Sequence, residues 1–247
     1  VNQYAHDSVV PFKTSGESKK KQVGEMFDKI AFRYDFLNRF LSAGIDKIWR
    51  RKAIQTLMPY RPKQMLDVAT GTGDFALMSF KMLHPQKITG IDISTGMLEL
   101  GRKKIEKAGL SNVIELKEGD SEAISFNDNS FDAVTVAFGV RNFEDLEKGL
   151  SEIRRVLSPG GRLVILEFTR PSTPVIKQIY QLYMKYITPA VGKLFSKNNE
   201  AYQYLNDSVV RFPEKQSFIH ILNKTGYRNA FYKTLTFGIC SIYCAEK

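Results

Sequence analysis

Met65-Leu66-Asp67-Val68-Ala69-Thr70-Gly71-Thr72-Gly73-Asp74 decides the fold: a short apolar run meets an acid and then breaks into Gly-x-Gly. That order reads as a strand, a tight loop and the start of a helix. Glycine at 71 and 73 lets the backbone turn sharply and lie against a ligand with no Cβ in the way, and the first turn of the following helix offers unpaired N–H groups. A nucleotide-like ligand suits such a loop. Gly71-x-Gly73-x-x-Ala76 meets the dinucleotide-binding pattern with Ala in third place and fits adenosyl-binding loops equally well, so the loop alone does not choose between them.

Two further strand ends narrow the choice. Ile88-Thr89-Gly90-Ile91-Asp92 ends in an acid 19 residues past Gly73, placed to accept both hydroxyls of a ribose from the tip of the neighbouring strand. Gly119-Asp120-Ser121 closes the next strand, where the acid can accept an adenine amino group and the following N–H can serve a ring nitrogen. Gly-Asp-Ser is also ordinary turn chemistry, and alone it would be read so. Acids at three successive strand ends, Asp67, Asp92 and Asp120, favour an adenosine site over a nicotinamide dinucleotide.

In chain order, residues 1–22 read as a flexible basic lead ending in Lys19-Lys20-Lys21. Apolar residues at 23, 26, 27, 30, 34, 37 and 41 have helical spacing, and a second helix is expected from Asp46 to Met58, stopped by Pro59. These N-terminal helices, residues 23–60, are expected to cover a substrate site. Residues 61–247 then alternate strand and helix. Strands are expected at 65–68, 87–92, 113–116, 131–138 and 163–168, with helices at 75–83, 95–108 and 143–157 between them. That rhythm calls for a parallel sheet covered on both faces. Residues 170–212 break it as an insertion of helices and loop, a helix follows from Pro213 to Gly226, and Ala230–Leu235 and Phe237–Cys244 close the chain as an antiparallel hairpin. Five strands with crossover helices and a terminal hairpin resemble the Rossmann-like, seven-stranded class I S-adenosylmethionine-dependent methyltransferase fold.

Composition removes several classes of function. With 247 residues, 43% of them hydrophobic and 25% charged, the chain buries a full core and is not disordered as a whole. No run has the length of a signal peptide core or a bilayer span, so a cytoplasmic protein is expected. Cys240 and Cys244 are spaced to share one face of a strand, too far apart along it for an easy bridge, and read as buried free thiols. Three histidines, none near the cysteines, give a zinc site little to build on, and no metal is expected. The net charge of +10 names no partner by itself, but the basic residues gather in the first 63 positions, which suggests a membrane-facing or anion-facing N-terminal region.

Longer motifs are more discriminating. Phe27-Asp28-x-Ile30-Ala31-x-x-Tyr34-Asp35-x-Leu37-Asn38, Leu41-Ser42-x-Gly44-x-Asp46-x-x-Trp49-Arg50, Phe138-Gly139-Val140-Arg141-Asn142 and Tyr202-x-Tyr204-Leu205-x-x-Ser208 with Phe212-Pro213 resemble the menaquinone and ubiquinone biosynthesis C-methyltransferase family, as does the glycine loop. The likeness runs from about residue 23 to 246. It implies transfer of a methyl group from S-adenosyl-L-methionine to a ring carbon of a prenylated quinol, leaving S-adenosyl-L-homocysteine. It assigns the cofactor to Thr70, Asp92, Asp120 and Ser121; Gly71 and Gly73 form the loop, and Asp67 beneath it is expected to help hold the methionine amino group, directly or through water. Arg141 and Asn142, at the carboxyl edge of the sheet, are then expected to stabilise a developing phenolate or position a water, and Tyr34 to face the site. Without the resemblance Asn142 reads equally as a helix cap, Arg141 as a salt-bridged side chain and Tyr34 as core. Many relatives have Ser where this chain has Ala137.

A long isoprenoid tail needs an apolar entrance, and Tyr180, Tyr183, Tyr186, Tyr202 and Tyr204 are candidates to roof it near the bilayer surface. The rivals are a nucleic-acid methyltransferase, a nicotinamide-dependent oxidoreductase and a non-catalytic module. The first lacks an Asn/Asp-Pro-Pro-aromatic or Pro-Cys motif after the fourth strand, so nucleic acid is not the expected partner. Naphthoquinol and benzoquinol substrates stay open, with demethylmenaquinol preferred, and so does a homodimer.

Overall fold

The structure, a computed structural model, describes residues 4–42, 44–182 and 199–247. Seven strands form one sheet: β1 (Gln64–Val68), β2 (Lys87–Asp92), β3 (Ile114–Glu118), β4 (Phe131–Ala137), β5 (Leu157–Phe168), β6 (Arg228–Leu235) and β7 (Cys240–Glu246). Their order is β3-β2-β1-β4-β5-β7-β6. β1 to β5 pair in parallel, whereas β7 runs antiparallel between β5 and β6. Chain order reverses between β1 and β4, and this switch point opens a crevice beyond the carboxyl ends of the strands.

Alternation along each strand sorts the core into two layers. Leu66, Val68, Val134, Val136, Leu163 and Ile165 face one side and pack with α5 (Leu146–Val156) and α8 (Gln216–Lys224). Met65, Ala133, Val164 and Leu166 face the other, under α2 (Ile45–Gln55) and α3 (Asp74–Leu83), while Ile105 and Leu98 bring in α4 (Thr95–Lys107). A period of two along strands and both faces buried are what crossover helices require. Cys240 and Cys244 lie on this second face as buried free thiols, and burial pushes both above the ordinary thiol value.

Boundaries differ where polar side chains find buried partners. α1 spans Lys19–Leu41, beginning four residues before the apolar stripe. Its first turn is anchored because the Lys19 N–H donates to Glu144 (3.0 Å) and Nζ donates to the His6 carbonyl (3.0 Å). The Gln22 side chain accepts from Phe12 N (2.9 Å) and donates to the Glu17 carbonyl (2.7 Å). The expected flexible lead is therefore corrected for residues 4–18: His6 and Val9 are buried, and Val9 packs with Val23, Met26 and Tyr204. Pro59 does not simply follow α2; it sits in a 3₁₀ turn, Met58–Tyr60, after the helix has ended. Ser158-Pro159-Gly160-Gly161 follows α5 closely and is absorbed into β5 as an irregularity between the Phe131–Leu157 and Ala133–Arg162 pairs. The insertion contributes α6 (Pro174–Leu182) and α7 (Asn199–Arg211). Tyr183 and Tyr186 lie outside the described residues, as does the side chain of Tyr202.

Candidate functional site

A solvent-open cavity lies at the carboxyl ends of β1, β2, β3 and β4. Gly71, Asp92, Asp120 and Ser121 form one side, Phe138, Gly139 and Asn142 another, and Val23, Phe27 and Tyr34 of α1 close it from above. Asp28 and Asp35 hold that helix in place. Asp28 accepts from Ser94 Oγ (2.6 Å) and Gly96 N (2.9 Å), and Asp35 accepts from Thr72 Oγ1 (2.7 Å) and pairs with Lys104.

Two left-handed residues shape the floor. Ala69 and Phe138, at the tips of β1 and β4, have φ of 54° and 59°, a conformation that non-glycine residues adopt only under outside constraint. They leave so little room that a Cβ on Gly139 would stand 2.6 Å from the Ala69 Cβ. Gly71 and Gly73 are also left-handed, and the latter caps the start of α3.

The three expected acids separate into two roles. Asp92 lines the cavity while its two oxygens accept from Gly71 N (2.8 Å) and Ser94 N (2.9 Å). A carboxylate has about four acceptor positions, so it retains capacity for a diol. Asp120 also lines the cavity and is paired with Lys20 of α1 (2.6 Å), which reaches Glu122 as well (3.1 Å). Asp67 does not line it. Its carboxylate is buried, accepting from Thr70 Oγ1 and Thr135 Oγ1 (2.6 Å each), and desolvation raises its pKa to about 6. Of the three expected acids, Asp92 and Asp120 thus line the cavity, while Thr70 and Thr135 draw Asp67 inward as a brace under the loop. Thr70 likewise directs its hydroxyl to Asp67, and Gly73 shapes the loop from outside the cavity wall.

The residues after β4 border the same cavity. Asn142 lines the cavity, and its Oδ1 accepts from the buried Tyr204 hydroxyl (3.1 Å). Arg141 lies behind that wall, buried, with Nη1 donating to the Phe138 carbonyl (2.6 Å) and to Glu167 Oε1 (2.7 Å). Glu167 is wholly buried at the end of β5, and the proximity of its carboxylate raises the Arg141 pKa despite desolvation, keeping the guanidinium charged. Tyr34 and Tyr204 are close enough to contribute to the same field, while Arg141 Nε is buried with no hydrogen-bond partner among the described residues. A buried unpaired donor of this kind calls for an explanation.

Of the residues expected at the site, the cavity brings together Tyr34, Gly71, Asp92, Asp120, Ser121 and Asn142. Sequence reasoning missed Lys20, Glu122 and Glu167. The last had a legible signal, an acid inside the apolar strand Leu163–Phe168.

The model of the ubiE/COQ5 methyltransferase family matches residues 15–247. The chain is 49% identical to the demethylmenaquinone methyltransferase of Bacteroides fragilis, with 99% of both chains covered. It is 45% identical to the ubiquinone/menaquinone biosynthesis C-methyltransferase UbiE of Geobacter sulfurreducens, covering 93% of this chain and 90% of that one. Among solved structures, a SAM-dependent methyltransferase from Thermotoga maritima superposes with a TM-score of 0.63 at 20% identity, covering 90% of this chain and 99% of that one. The strand order and this likeness give the class I Rossmann-like methyltransferase fold.

Proposed function

The chain belongs to the ubiE/COQ5 methyltransferase family, and from that premise we propose that it methylates a ring carbon of a prenylated quinol, with S-adenosyl-L-methionine as donor and demethylmenaquinol as the leading substrate. The residues present fit the donor. Gly71 gives a close approach, Asp92 has acceptor capacity for a ribose, Asp120 and Ser121 stand at the neighbouring strand end, and Met97 lines the wall between them. S-adenosyl-L-methionine supplies a methyl group on a sulfonium that needs no further activation.

The protein's own task is alignment, exclusion of water and management of the phenolic proton. Val23, Phe27, Met97 and Phe138 make the cavity wall apolar. A reduced quinol is the competent partner because an oxygen that loses its proton pushes electron density onto the ring carbon, whereas a quinone ring is electron-poor. Arg141, held cationic by Glu167, lowers the cost of that phenolate through its field, and Asn142 with Tyr204 and Tyr34 positions the ring. Arginine stays protonated and so is not the base.

One observation carries this reading: Asp92 at the tip of β2, Asp120 just past β3 and Asn142, with Arg141 directly behind it, surround one cleft roofed by apolar residues of α1. Among the described residues no helix is long and apolar enough to cross a membrane. A substrate with an isoprenoid tail resides in a bilayer, which supports reading the enzyme as peripheral on the membrane surface. Incubation with donor and each reduced quinol, followed by product mass, tests the assignment. A product one methyl heavier from demethylmenaquinol is expected; donor binding without methylation of either quinol class would overturn it.

A further inference from the structure

The β6–β7 connection presents an aromatic ring to solvent at a conformational cost. Thr236 and Phe237 have φ of 46° and 55°, and Phe237 is 74% exposed. A β-branched and an aromatic residue in the left-handed region are outliers that a glycine or asparagine would relieve. The turn sits at the carboxyl edge of the sheet, since β7 begins opposite the end of β5, Cys240 pairing with Phe168. This is also the edge on which the cavity opens.

Two helices meet the turn there. Trp49 of α2 donates from Nε1 to Thr236 Oγ1 (2.7 Å), and its sequence neighbour Ile48 is 54% exposed. On the other side, a Cβ at Gly238 would lie 3.5 Å from Pro171, just before α6, where Val175 is 63% exposed. Ile48, Phe237 and Val175 are thus large apolar side chains carried on adjoining elements.

Charge identifies what this edge faces. Lys47, Arg51 and Lys52 of α2 are exposed, and none of them is in an ion pair among the described residues. The acid of that helix, Asp46, is buried and paired with Arg50. Arg170–Leu182 and Thr236–Gly238 contain no acid at all, and α6 adds the exposed Lys177. Apolar tips ringed by unpaired cations, with no exposed carboxylate, match an anionic interface into which rings insert and around which headgroups gather.

We infer that the edge formed by α2, the β6–β7 turn and the start of α6 docks the protein onto an anionic lipid bilayer, with Phe237 inserted below the headgroups. The inference rests on the quinol reading of the same site, since it delivers a bilayer-resident substrate to the mouth of the cavity. It differs from a general basic N-terminal attraction in naming an aromatic anchor near the C-terminus.

Co-sedimentation of the full chain with phosphatidylcholine vesicles, with and without phosphatidylglycerol, tests it alongside turnover of short-tailed quinol in detergent and long-tailed quinol in vesicles. The wild-type protein is expected to bind the phosphatidylglycerol vesicles and to lose that binding at high salt. The triple variant Lys47→Gln, Arg51→Gln, Lys52→Gln is expected to bind on the order of a hundredfold less tightly, and Phe237→Asn roughly tenfold less. Both should keep turnover of the short-tailed quinol and lose it on vesicles. Unchanged vesicle binding in both variants would overturn the docking edge, as would binding of an oligonucleotide in place of vesicles. Absence of methylation by the wild type in detergent would instead count against the quinol reading itself.

Discussion

Asp67 and Thr135 face each other in register across β1 and β4, with 2.6 Å between Oδ1 and Oγ1. The acid at the tip of the first strand is thereby committed to its own sheet. With Thr70 on its other oxygen, it fixes the loop from which Gly71 approaches the cavity.

This bond network has a pH signature. Burial raises Asp67 from 3.8 to about 6, so the native state retains the proton longer than the unfolded chain. Its contribution is complete below about pH 4 and is lost as pH rises through 6, by on the order of 3 kcal/mol. His6, lowered by burial to about 3, acts in the opposite sense, adding stability above 6.5 that is lost as pH falls through 3. Denaturant melts of the wild type and Asp67→Asn between pH 4 and 7 isolate the first effect. The variant should gain relative stability as pH rises; a constant difference would refute the assignment.

Asp92 is expected to govern donor affinity. Asp92→Ala removes the acceptor of Gly71 N and the cavity-lining carboxylate together, and calorimetry with S-adenosyl-L-methionine should show weakening of roughly 10- to 100-fold. Binding within twofold of wild type would place the ribose elsewhere.

The Arg141–Glu167 pair should separate chemistry from donor binding. Arg141→Lys keeps a cation beside Glu167 but replaces the delocalised guanidinium whose Nη1 bridges Phe138 O and the carboxylate, and turnover should fall roughly 100-fold with donor affinity little changed. Glu167→Ala strands a buried guanidinium and should cost about 3–5 kcal/mol of folding stability, read by chemical denaturation. Parallel loss of donor binding in Arg141→Lys would speak for a structural role alone.

Gly90 is a packing constraint on the same wall. A Cβ there would stand 2.5 Å from Leu116 Cδ2 and 2.8 Å from Thr70 Oγ1, so Gly90→Ala pushes the Asp67 clamp as it enters. A loss of about 1–3 kcal/mol in stability, with weaker donor binding, is expected in thermal melts and calorimetry.

Much of this was readable from residue order because the signals were local. Ser94 and Thr95 both offer a hydroxyl just ahead of the apolar stripe of α4, and it is the Ser94 hydroxyl that accepts from Met97 N (3.2 Å). The spacing from Gly73 to Asp92 located an acid that lines the cavity, and the tight link at Thr236 implied the antiparallel hairpin. What escaped depended on long-range partners. Lys19 and Lys20 read as a solvated run, yet one is buried by carbonyls of distant segments and the other pairs with Asp120 and Glu122. Asp67 was expected beneath the loop, and the family resemblance alone gave Arg141 a role toward the substrate, a salt-bridged side chain being the other reading. Their partners Thr135 and Glu167 sit on neighbouring strands, far away in sequence, and no local signal names them.

The two thiols on the inner face of the sheet bear on a hazard of the proposed chemistry. An oxidised quinone is an electrophile that alkylates thiolates, and reactivity of that kind follows the accessible, ionised fraction of sulfur. Cys240 and Cys244 are the only cysteines of the chain, both are enclosed, and both resist ionisation. A catalyst that handles quinols beside their oxidised forms thus offers them no soft nucleophile, and self-inactivation by its own substrate pool is avoided by placement alone.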